Sequence, residues 1–178
     1  MPPRSIRVWD GPVRLLHWGL ALSVIAAWTT IWWGHAWHER AGYAALTALA
    51  LRTLWCWRSN RAGQPRYFVQ GPRATWQYLQ ALRAGRERRY LSHNPLGGWM
   101  ALLLWSLVGL TGFTGWLYTT DAFWGMAWLD QLHQALAWSF VVAVPMHLAG
   151  VVFTSLRHRE NLVRAMVTGR KRLGRDRR

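Results

Sequence analysis

QLHQALAWSFVVAVPMHLAGVVFTSL, residues 131–156, is the stretch that decides the fold. It carries no formal charge, yet it holds two histidines, His133 and His147. As a helix, such a run is long enough to cross a hydrocarbon core of about 30 Å. An ionisable side chain inside such a run marks a functional position by default. Fourteen residues at about 1.5 Å of rise put the two histidines roughly 21 Å apart. At about 100° per residue they also leave the helix from nearly the same face. One face of one helix therefore offers an imidazole near each side of a bilayer.

Three more apolar runs precede it. From residue 15 to 33 no side chain is charged, and no small-residue cleavage site follows, so the run reads as a retained span. AGYAALTALALRTLWCW, residues 41–57, is broken only by Arg52, near enough to its end to snorkel or to meet a buried anion. LGGWMALLLWSLVGLTGFTGWLY, residues 96–118, is uncharged, with Gly109, Gly112 and Gly115 recurring every third residue. Asn94 and Pro95 before it make a cap and a first helical position. The expected fold is all-α: an integral membrane four-helix bundle in one domain, with spans at about 13–34, 38–57, 96–118 and 131–156.

Charge orients the spans. The chain carries 22 Lys and Arg against seven Asp and Glu, a formal net charge of +15. Twenty of the basic residues fall in the N-terminal segment through Arg14, the loop 58–95 and the tail 157–178. The positive-inside rule places those segments, and both termini, in the cytoplasm. Anionic lipid headgroups account for the basic charge. Nucleic-acid binding is excluded, because a soluble basic domain has no use for long uncharged runs. Within the loop, Trp76, Leu79 and Leu82 share a helical face, which suits a helix on the membrane surface or one packed on the protein. Many of the 15 tryptophans lie near expected span ends, as an interfacial belt does.

Depth then pairs the histidines. His17 lies just inside the cytoplasmic end of the first span, level with His147. His38 lies at the outer start of the second span, level with His133. His35 competes with His38 for the outer position. Histidine pairs bridging facing helices are what a b-type haem needs. A lone Cys56 and few carboxylates argue against thiolate, zinc or di-iron sites. Two haems b with iron on His17/His147 and His38/His133 are expected.

Several motifs resemble the bacterial cytochrome b561 family, which includes the cytochrome b subunits of nickel–iron hydrogenases. They are VWDGPVRLLHW at 8–18, HERAGY at 38–43, RTLWCW at 52–57, YFVQGPRATWQYL at 67–79, HNPLGGWM at 93–100 and HRENLVRAMVTGRKR at 158–172. The resemblance runs in order over nearly the whole chain. Cys56 stands where family members usually have glycine. The resemblance implies a multi-pass protein of the bacterial inner membrane that passes electrons between an outer-side donor and the quinone pool. It implies haem ligation by His17, His38, His133 and His147. Periplasmic cytochrome c, hydrogenase and superoxide are donors compatible with the family, and a haem-bearing anchor within a larger redox complex is the alternative. Within such a site, Arg14 and Arg52 are candidates to neutralise haem propionates, or serve only the positive-inside rule. Gly109 and Gly112 give a porphyrin clearance, or let helices pack closely.

Overall fold

The computed structural model describes residues 5–58 and 69–172. The fold is all-helical, with six helices among the described residues and one short two-stranded sheet. Helix α1, Gly11–Thr30, starts where Asp10 accepts a hydrogen bond from the Val13 N–H at 2.9 Å. A turn leads to Gly34, whose φ of +120° reverses the chain. Helix α2, His35–Arg58, therefore begins three residues ahead of the expected span, and His38 lies in its first turn.

Helix α3, Pro72–Arg83, is the amphipathic helix expected in the basic loop. Tyr78 is buried and Trp76 is 56% exposed, while Thr75 accepts a hydrogen bond from Trp99 Nε1 at 3.1 Å. Helix α4, Pro95–Tyr118, opens as the sequence indicates, with Asn94 Oδ1 accepting from the Gly97 N–H at 2.7 Å. Helix α5, Ala127–Arg157, begins before the apolar run and continues through Pro145. Its early start is explained by Leu129, wholly buried, and by Asp130 in the first turn, where the helix dipole favours an acid.

The long helices α1, α2, α4 and α5 share one core. Ala45, Leu107, Val108, Phe140 and Ala143 are buried in it, with Leu20, Val24, Leu49, Leu104 and Leu136 packed around them. The outward faces are also apolar. Leu22, Ile25, Leu54, Val142 and Leu156 are all exposed. A helix apolar on every side belongs in a core or in lipid, and these are mostly uncovered. Among the described residues two helices, α4 and α5, are long and apolar enough by length and composition to cross a membrane.

The tail forms more structure than its composition announces. Helix α6, Leu162–Thr168, is capped by Asn161 and ends at Gly169, whose φ is +76°. Strand β2, Arg170–Arg172, pairs antiparallel with β1, Ser5–Arg7. The N-terminal segment and the tail thus meet at one end of the molecule. The basic loop joins them there. Glu160 pairs with Arg89 and, at 3.5 Å, with Lys171, and Glu87 takes Arg157 at 2.6 and 3.2 Å.

Candidate functional site

Two histidine sites lie toward opposite ends of the core. At one, the ring centres of His38 and His133 are 6.1 Å apart with planes at 82°. The turn at Gly34 folds α2 back on α1, so that His38 Nδ1 donates to the Ala27 carbonyl at 2.8 Å. His133 Nδ1 lies 3.0 Å from the Thr111 carbonyl and 3.2 Å from Thr114 Oγ1. Thr114 Oγ1 is also 3.0 Å from the carbonyls of Leu110 and Thr111. Its proton goes to a carbonyl, so its lone pair faces the imidazole N–H. A carbonyl only accepts, so both Nδ1 atoms carry the proton and both Nε2 atoms keep a lone pair. Ligand histidines are oriented in this way, with the second ring nitrogen donating to a carbonyl.

Space around His133 is set by a glycine. A Cβ on Gly115 would come within 3.0 Å of His133 Cε1 and 3.4 Å of Nδ1. His35 is exposed, whereas His38 is turned inward. The structure therefore brings His38, and not His35, against His133.

The second site is built around a buried arginine. Arg52 is 5% exposed, and its Nη1 donates to the Val13 carbonyl at 2.5 Å, one turn before His17. Its guanidinium lies over the Trp105 ring, 5.6 Å from the centroid. His17 is within electrostatic reach of Arg52 and His147 and packs edge-on to Trp18 at 5.5 Å. Arg14 lies on the same turn as Val13, and its buried Nε has no hydrogen-bond partner among the described residues.

His93, two residues before α4, is buried beside this site under Trp9, ring centres 5.2 Å apart. Burial pushes it down to about 3, and the charges of Arg52, His147, Lys171 and His17 act in the same direction. At neutral pH it is an uncharged imidazole. Nothing in the local sequence signals this; Trp9 and the tail bring it about. Thr111, Thr114 and Gly115 were likewise not read as site residues, although Gly115 ends the glycine repeat.

The proposed propionate and porphyrin residues fall in different places. Arg14 and Arg52 are at the His17 site. Gly109 and Gly112 face α2. A Cβ on Gly109 would meet Leu49 Cδ2 at 3.7 Å, and one on Gly112 would overlap the Leu46 side chain at 2.5 Å. Their present neighbours are those of close helix packing.

The donor set fits haem. Two imidazoles sharing one first-row metal ion, each nitrogen about 2 Å from it, have ring centres roughly 6 Å apart. The His38–His133 pair meets that spacing with both tautomers set. Arg14 Nε is an unpartnered buried donor suited to a carboxylate. Among the described residues no group of three or more His, Cys, Asp or Glu gathers to hold a metal ion.

Comparison with known proteins agrees with this chemistry. The chain is 24% identical to a probable Ni/Fe-hydrogenase B-type cytochrome subunit of Azotobacter vinelandii, over 93% of this chain and 88% of that one. It is 24% identical to the same-named subunit of Rhodobacter capsulatus, over 97% and 84%. For that of Rhizobium leguminosarum bv. viciae the identity is 22%, over 98% and 91%. These alignments extend over 213 to 220 positions, more than this chain's 178 residues, so the relatives carry insertions relative to it. No solved structure matches significantly. The family model described as prokaryotic cytochrome b561 matches residues 8–169, and the chain belongs to that family.

Proposed function

We propose that this protein carries electrons across the bacterial inner membrane through two bis-histidine haems b, from a periplasmic-side donor toward the quinone pool. Membership in the cytochrome b561 family gives it a membrane-integral, haem b electron-transfer role. The finer reading assigns His38 and His133 to an outer haem and His17 and His147 to an inner one. The single observation that carries it is the outer pair: ring centres 6.1 Å apart, with each Nδ1 bonded to a backbone carbonyl.

In this reading α1, α2, α4 and α5 all span the bilayer as a four-helix bundle. At about 1.5 Å per residue, α1 and α2 are roughly 30 and 36 Å long, enough for a hydrocarbon core. The end where β1, β2 and the basic loop meet is cytoplasmic by the positive-inside rule. Haem held by the two histidine pairs would supply one-electron reduction and reoxidation. The chain's own residues do the rest. The Ala27 and Thr111 carbonyls hold the outer imidazoles in the tautomer whose Nε2 lone pair would be left to bind the metal. Arg14 and Arg52 put positive charge where inner propionates need it. Held by two histidines each, the haems would pass electrons rather than bind oxygen.

The test is haem content of the purified protein and of alanine variants at the four histidines. Two low-spin haems per chain are expected, with either member of a pair removing the same haem. A single haem in the wild type that survives loss of His38 or His133 alike would refute the outer assignment. No haem would refute the whole reading.

A second reading is favoured by the names of the relatives, all hydrogenase cytochrome subunits. In it the chain anchors a periplasmic partner such as a hydrogenase or cytochrome c, and passes electrons without a quinone site of its own. Quinone reduction by the isolated, chemically reduced protein separates the two.

A further inference from the structure

The two histidine sites differ in ways that act on redox potential in one direction. At the outer site, both ligand imidazoles donate from Nδ1. His38 donates to Ala27 O at 2.8 Å, and His133 is shared between Thr111 O at 3.0 Å and Thr114 Oγ1 at 3.2 Å. A hydrogen bond from the far nitrogen makes an imidazole a more basic ligand. A more basic ligand favours the more positive, ferric ion and lowers the potential. Asp130 lies one turn before His133 and acts on it electrostatically, which favours the ferric ion again. Gln134 holds that carboxylate in place at 2.9 Å. Glu39 adjoins His38; Arg40 offsets it but is drawn over the Trp37 ring, 5.0 Å from the centroid.

At the inner site the balance is reversed. Neither His17 nor His147 has a hydrogen-bond acceptor among the described residues. The buried Arg52 places positive charge beside His17, Arg14 with its buried Nε lies one turn before His17, and Lys171 acts on the neighbouring His93. Asp10 acts on Arg52 at this site, and the Val13 N–H and Trp55 Nε1 engage it at 2.9 and 3.0 Å. Positive charge in a low-dielectric site favours the ferrous ion and raises the potential.

Resting on the two-haem reading above, we infer that the chain sets a lower midpoint potential at the His38/His133 pair than at the His17/His147 pair, which makes one-electron passage from the outer side to the inner side downhill. Thr114 is a positioning residue in this arrangement: it acts on the outer potential only through His133.

A potentiometric titration of the purified holoprotein, followed at the reduced haem absorbance band, tests this. Two components are expected. His147→Ala should leave only the lower one, and His133→Ala only the higher. Thr114→Val, which keeps the side-chain shape, should raise the lower component and leave the higher unmoved, with both haems retained. Asp130→Asn should raise the same component, an independent check should the threonine variant prove unstable. A merely structural role for Thr114 would lower thermal stability without moving either potential, and would overturn its part in the inference. Survival of the lower component in His133→Ala would overturn the inference itself. A haem-free wild type would instead refute the function proposed above, so the two failures are distinguishable.

Discussion

Replacing Gly115 tests how tightly the outer site is built. A Cβ at that position lies 3.0 Å from His133 Cε1 and 3.4 Å from Nδ1, where ordinary carbon contacts are about 3.5–4.0 Å. In Gly115→Ala the ring must retreat by about 0.5 Å. That retreat stretches the bonds from Nδ1 to Thr111 O and Thr114 Oγ1, now 3.0 and 3.2 Å, to the limit of hydrogen bonding. Losing one costs about 1 kcal/mol, and overpacking costs about 1–3 kcal/mol. At about 1.4 kcal/mol per tenfold, outer haem affinity should fall by roughly two orders of magnitude. Gly115→Val should abolish it. Pyridine haemochrome content per chain, measured after a dilution series, reads the loss. The inner haem should stay at one per chain. Full retention of both haems in Gly115→Val would refute the idea that this glycine makes room for a ligand histidine.

Other perturbations have equally definite outcomes. Gly112→Ala should lower thermal stability by about 1–3 kcal/mol through overlap with Leu46, with haem content unchanged and stability largely restored by adding Leu46→Ala. His93 is depressed to about 3 by burial, so between pH 3 and 6.5 the unfolded chain binds the extra proton and stability rises with pH. Lowering the pH from 7 to 5 should cost about 2 kcal/mol through this residue, seen as a fall in unfolding midpoint that His93→Gln lacks. Glu160→Gln leaves Arg89 and the buried Lys171 without their shared carboxylate, so limited proteolysis should release the tail faster, with a loss of about 1–3 kcal/mol. An unchanged cleavage rate would show that the ion pairs do not hold the tail.

The sequence carries the helices well because their signals are local. Asn94 and Pro95 mark the start of α4 as they should. Boundaries fail where the deciding contact is distant. Asp130 reads as the polar edge of an apolar run, but α5 begins at Ala127 because Leu129 is buried against the rest of the protein. Gly34 ends α1's loop and starts α2 at His35, a conformational break that composition does not distinguish from the histidines after it. The strands β1 and β2, SIR and RKR, have no alternation to read; their pairing is purely tertiary.

The same division holds at the site. The pairing of His38 with His133 follows from depth along two helices, which the positions of the runs supply. What holds the rings does not. Ala27 O and Thr111 O are backbone atoms, identical in kind at every residue, so no residue type announces them. Burial of His93 depends on Trp9 packing over it from another segment. Gly112 belongs to a legible glycine repeat, but only the neighbour, Leu46, shows which partner the small residue accommodates.

The most direct test of the account is haem per chain in the purified wild-type protein, with the reduced-minus-oxidised spectrum. The account predicts two low-spin haems b, one lost on substituting His38 or His133 and the other on substituting His17 or His147. A single haem per chain, or none, would contradict it.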